Sequence, residues 1–70
     1  MAIEFDTTVR SGMPVTVCYE IEICEPYSLT WIADLWLEVR GERAEWLERR
    51  LNDQQWGGLN EEAMENYFQS

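Results

Sequence analysis

The stretch Pro14–Cys24 reads PVTVCYEIEIC and sets two thiols and two carboxylates, Cys18, Glu20, Glu22 and Cys24, at positions of one parity. Such a set invites three chemistries: metal ligation, a thiol couple, or acid–base work. Spacing opposes the first two. In one continuous strand Cys18 and Cys24 stand about 20 Å apart at ~3.3 Å per residue, and a disulfide needs Cα atoms within about 7 Å. The same spread keeps them from surrounding one metal ion. With two Cys and no His in the chain, a structural zinc site lacks its four N/S ligands. The segments 22–25 and 60–62 are too sparse in oxygen ligands for a calcium loop. The cysteines read as reduced thiols of a cytosolic protein, and no cofactor or metal is expected.

Acid–base catalysis needs facing carboxylates about 5–9 Å apart across a cleft. Glu4 and Glu20 meet that spacing if two strands bring them opposite one another. A flat, wet face gives them neither enforced desolvation nor a pocket, and the sequence offers no His base, phosphate loop or nucleophile elbow. The reading is a binding protein, not an enzyme.

These side chains are positioned by strands. Ile3, Phe5, Thr7 and Val9 alternate with Glu4, Asp6, Thr8 and Arg10, a period of two that marks a half-buried strand over 2–10. Segment 11–14 carries turn residues, and residues 15–24 alternate again. A loop over 10–14 pairs Val9 with Val15, Phe5 with Tyr19 and Ile3 with Ile21 on one face. It sets Glu4 opposite Glu20 and Asp6 opposite Cys18 on the other. Like charges directly across a strand pair are destabilising, so either arginines relieve this face or it is kept acidic for a partner. A third strand is predicted over 31–40, with Trp31, Ala33, Leu35, Leu37 and Val39 inward, although a helix is a rival reading there.

After Gly41 the period changes. Ala44, Leu47 and Leu51 with Trp46 predict a helix over 42–52, aided by Glu45 and Arg49 at i,i+4. Segment 52–58 reads as a loop around Gly57–Gly58. Asn60 serves as N-cap of a second helix over 60–69, with Leu59 and Met64 as hydrophobic staple. The expected architecture is one α+β domain, residues 1–70: a three-stranded antiparallel meander with two short helices packed on one face.

Composition bounds the function. Fourteen acids against five bases give a formal charge of −9, and every base is an arginine. That charge repels nucleic acid and anionic membranes and favours a basic protein partner. The segment 40–50 holds four Arg and three Glu, one unit positive, so the rest sums to −10. A homodimer laying this helix against the acidic sheet of its mate is one consequence. The N-terminus lacks a basic region and an apolar run, and no window approaches the ~20 apolar residues of a membrane span; a cytoplasmic location is expected.

Trp36 is the most informative single residue. It falls on the polar parity with Ile32, Glu38 and Arg40, which suits an interface anchor, since Trp and Arg dominate hot spots. The other reading covers it with a helix or buries a central third strand on both sides. Trp46 and Trp56 pose the same question, each a candidate for the helix–sheet seam. The partner-binding set read from the sequence is Glu4, Asp6, Glu20, Glu22, Trp36, Glu38 and Arg40.

The run FDTTVRSGMPVTVCYE at 5–20, followed by LWLEVRG and two acidic helices, resembles small acidic proteins of tailed bacteriophages and prophages. That resemblance implies a class of action: an accessory protein in a bacterial host cell that binds a host protein and modulates or inhibits it, with mimicry of nucleic-acid charge as the sharper form. The alternative is a structural, assembly or self-associating phage protein. The C-terminal MENYFQS is similar to a tobacco-etch-virus protease recognition sequence without the Leu expected between Asn66 and Tyr67, and is read as native helix.

Overall fold

The computed structural model describes residues 2–10, 12–27 and 29–69. Strands β1 (Ile3–Val9), β2 (Met13–Cys24), β3 (Leu29–Val39) and β4 (Glu42–Arg43) form one antiparallel sheet in sequential order. Helix α1 (Glu45–Glu48) and helix α2 (Asp53–Gln69) follow. The α+β class and the meander are as expected; the sheet has a fourth strand, and both helices have other bounds than those read from the sequence.

The turns explain most of the differences. Arg10 (φ 49°) and Gly12 (φ 109°) take positive φ, which closes the first hairpin more tightly than a loop over 10–14. Val9 therefore faces Met13, Phe5 faces Val17 and Ile3 faces Tyr19. The register is displaced by two residues, so every side chain keeps its expected face. Arg40 (φ 55°) and Gly41 (φ 83°) form a two-residue turn with both φ positive, the conformation that suits a tight hairpin. Glu42 and Arg43 thus return as β4 opposite Val39 and Glu38, and α1 spans only the four residues Glu45–Glu48.

Helix α2 begins well before Asn60. Asn52 Oδ1 accepts from the Gln55 backbone N–H at 2.8 Å, and Gln55 Oε1 accepts from the Asn52 N–H at 2.9 Å. This reciprocal pair is a capping box. Gly57 and Gly58 lie inside the helix, with nothing within 4 Å of where a Cβ would stand. Glycine there costs about 1 kcal/mol each relative to alanine, which the cap and the packing of Trp56, Leu59 and Ala63 offset.

Both helices cover the odd-numbered face. Val9, Val15, Val17 and Leu37 from the sheet pack with Ala44, Leu47, Leu51 and Leu59, while Phe5, Leu35, Val39 and Trp56 flank them. Trp56 thus joins the seam and Trp46 stays exposed. Tyr19 is wholly buried, its ring edge-on to Phe5 at 6.0 Å and its hydroxyl accepting from Asn66 Nδ2 at 2.7 Å.

One strand breaks parity. Glu20 faces Asp34, but Ile21 faces Ile32, so Ala33 is an extra residue, a bulge in β3. Beyond it Trp31 stands opposite Glu22 and Leu29 opposite Cys24. Directly paired residues share a face. Trp31, expected inward, is turned to the acidic face, and Ile32, expected beside Trp36, is turned to the helix side with Ile21.

Candidate functional site

The even-numbered sheet face carries neither helix. Two rows of side chains cross it. Glu4, Cys18 and Trp36 form one row across β1, β2 and β3; Asp6, Thr16 and Glu38 form the next. Glu20 and Asp34, then Glu22 and Trp31, continue toward the far end of the β2–β3 hairpin. Six of the seven residues read from the sequence, Glu4, Asp6, Glu20, Glu22, Trp36 and Glu38, thus share this surface. Arg40 does not: its positive φ puts it in the turn, exposed at the end of the sheet.

The pairings within the face differ from those expected. Glu4 meets Cys18 instead of Glu20, and Asp6 meets Thr16 instead of Cys18. The like-charge pair is Glu20 with Asp34. Thr16 Oγ1 donates to Asp6 Oδ1 at 2.9 Å and holds that carboxylate. Trp36 is half-buried, between the two readings left open for it, while Trp31 is 41% exposed and Leu29 57%. Sequence reading missed Trp31 and Leu29 as members of this surface, since only the bulge brings them there and alternation carries no sign of it.

Among the described residues no arginine forms an ion pair with an acid of this face: the ion pairs are Arg43 with Glu48 and Arg49 with Glu45, both on the β4–α1 segment. Arg43 stands opposite Glu38 on the neighbouring strand, yet its guanidinium reaches Glu48, with Nη2 at 3.2 Å from Oε1 and Nε at 3.3 Å from Oε2. That partner raises its pKa above the ordinary value. Arg10 donates to the Arg50 carbonyl at 3.0 Å.

At the centre of the face Cys18 is 1% exposed. Its Sγ and one oxygen each of Glu4 and Glu38 lie within 4.8 Å of one another. The thiol lies 3.5 Å from Glu4 Oε2 and donates to it. Burial first, and then the two carboxylates, push its pKa from 9.0 up to about 12, so at neutral pH it is a protonated donor and neither a nucleophile nor a metal-ready thiolate. Three potential ligands thus converge where the expected register left Cys18 beside Asp6 alone. Cys24 is partly exposed near the hairpin tip.

A shallow depression of about 520 Å³ runs along the end of the sheet, lined by residues including Asp6, Thr16, Glu38 and Arg40. No helix is long and apolar enough to cross a membrane among the described residues. Compared with models of protein families, with curated proteins and with solved structures, the chain matches none.

Proposed function

We propose that this chain is a small binding protein, without catalytic activity, whose helix-free sheet face docks a basic protein surface. One observation carries the reading: the face left uncovered by both helices holds Glu4, Asp6, Glu20, Glu22, Asp34 and Glu38, and the arginines are engaged or placed elsewhere. Trp36 and Trp31 lie among these acids and supply apolar anchors. The carboxylates steer a basic partner and fix its register.

In its sharper form the acids imitate nucleic-acid phosphates, and the protein acts as a phage-type accessory factor that blocks a host nucleic-acid-binding protein in the cytoplasm. A structural or assembly role, including a homodimer, is the alternative. The phage assignment draws on the sequence resemblance alone.

The test starts by affinity capture from the native host and proceeds with the identified protein. Glu4→Lys with Glu38→Lys is expected to weaken its binding about tenfold or more, and a DNA duplex is expected to compete. Unchanged affinity in the double variant would remove the acidic face from the interface. Co-purification with assembled particles would favour the structural role.

A further inference from the structure

The outer edge of β1, beside α2, is a second interaction element. Leu37 receives the Ala44 N–H on its carbonyl at 2.8 Å and donates its own N–H to Glu48 at 3.0 Å, both on the β4 side. In an antiparallel pair, residues directly opposite either exchange both hydrogen bonds or none, and the two kinds of pair alternate. Leu37 and Val17 therefore share none, and Val17 turns its groups to Phe5 on β1. Ile3, Phe5 and Thr7 thus face β2, while Glu4, Asp6 and Thr8 turn their backbone groups outward. β1 is the outer strand of the sheet and is described over its whole length. Among the described residues none of these outward groups meets a partner. The opposite edge is guarded: β4 is two residues long, the Leu37 N–H goes to Glu48, and the Leu35 N–H goes to Asp34 Oδ1 at 2.9 Å. β1 has neither the proline nor the bulge that blunts an edge.

Helix α2 forms a wall beside that edge. Gln55, Gly58, Glu62, Glu65 and Gln69 recur at intervals of three or four residues, so they form one stripe of the helix, and each lines a recess shared with β1. One recess, of about 240 Å³, lies between Val9 and Gly58. The other, of about 260 Å³, lies between Phe5, Thr7 and Glu65. Glu62 borders both. Gly58 has no side chain to close the first, and nothing lies within 4 Å of where its Cβ would stand.

We propose that this groove takes up an extended segment of a partner protein, which adds to β1 as a further antiparallel strand with basic side chains turned to α2. Strand addition draws affinity from main-chain hydrogen bonds and specificity from alternate side chains. Directly paired residues share a face. The added residues opposite Phe5 and Thr7 thus stand on the helix side beside the exposed Glu62 and Glu65, and so are basic. The residue opposite Val9 reaches the recess at Gly58, and so is apolar. Glu62 and Glu65 lie on α2 and take no part in the acidic sheet face, so the groove draws its specificity from other residues.

A second copy of this chain fits the groove poorly. Antiparallel pairing of β1 with β1 centred on Phe5 sets Glu4 against Asp6, and centred on Asp6 it sets Asp6 against itself. In every register the two-fold axis puts both α2 helices on one side of the joined sheet, with Glu62 and Glu65 toward their equivalents. Like charges so placed oppose pairing.

The test titrates a blocked peptide, valine–threonine–arginine–threonine–arginine, into the intact protein and follows it by backbone amide NMR and hydrogen exchange. The expected result is slowed exchange at Glu4, Asp6 and Thr8, with shifts along β1 and the facing stripe of α2. N-methylation of the two threonines removes the donors that meet β1 and is expected to abolish binding. N-methylation of the two arginines, whose N–H groups point away from β1, is expected to leave it. Glu62→Gln with Glu65→Gln is expected to weaken binding about threefold to tenfold. Glu20→Gln with Glu38→Gln, on the sheet face, is expected to leave peptide binding intact, which separates the groove from the face. Equal effects of the two methylations, unchanged binding in Glu62→Gln with Glu65→Gln, shifts centred on Trp36 and Glu38, a dimer formed through β1, or no binding at about millimolar peptide would each overturn the proposal.

Discussion

Trp31 stands directly opposite Glu22, on the face that carries no helix. The pair exists because Ala33 inserts one residue into β3. Replacing Trp31 by alanine is therefore expected to leave stability within about 0.5 kcal/mol, as for an exposed position, while weakening binding to the basic partner. Urea unfolding and titration on the same preparation check this. A loss of several kcal/mol in stability would return Trp31 to the core.

Glu48 joins α1 to the sheet by accepting from the Leu37 N–H and from Arg43. Glu48→Ala is expected to destabilise by about 1–3 kcal/mol, because an N–H of a strand in the core is left without its acceptor. Glu48→Gln keeps an acceptor for Leu37 and is expected to cost less. Equal midpoints for the two variants in urea would show that the N–H contact contributes nothing.

The Asn52–Gln55 cap and the two helical glycines act in opposite directions on α2. Asn52→Ala is expected to cost about 1 kcal/mol. Gly58→Ala is expected to stabilise by about 0.5–1 kcal/mol, since open space surrounds the added methyl. Thermal melts of the two variants should move apart from the parent in opposite senses. A loss of stability in Gly58→Ala would mean that the position is not helical.

Cys18 has a folded pKa near 12 against an ordinary 9.0. The unfolded chain therefore loses this proton first as pH rises. The stabilisation is complete below about pH 9 and is lost progressively toward pH 12. Urea midpoints of the parent are expected to fall over that window more steeply than those of Cys18→Ala. At pH 8 a thiol reagent is expected to modify Cys24 well before Cys18; simultaneous modification would contradict the burial of Cys18.

Alternation made the first hairpin and its acidic face legible in the sequence, because a two-residue slip in register leaves parity unchanged. The short third-strand spacing survived in Leu35, Leu37 and Val39. What stayed hidden was set by backbone geometry. Arg40 in a left-handed conformation turned a predicted helix start into β4, since arginine carries no signal for positive φ. Gly57–Gly58 looked like a loop because their intrinsic cost hides a helix whose cap lies upstream at Asn52. Ala33 gives no hint of a bulge, and so alternation alone puts Trp31 on the wrong side. At the candidate site the carboxylates were legible, whereas their partners, Glu4 with Cys18 and Glu20 with Asp34, depended on register.

The contact between Tyr19 and Asn66 bears on how α2 is set down. The seam beneath that helix is otherwise oily, and greasy surfaces slide. A phenol and an amide that find each other across it index the helix like a key in a slot: rolling α2 by one residue, about 100°, would leave the buried Tyr19 hydroxyl without its partner. One hydrogen bond thereby chooses among rotations that burial alone would rank nearly alike.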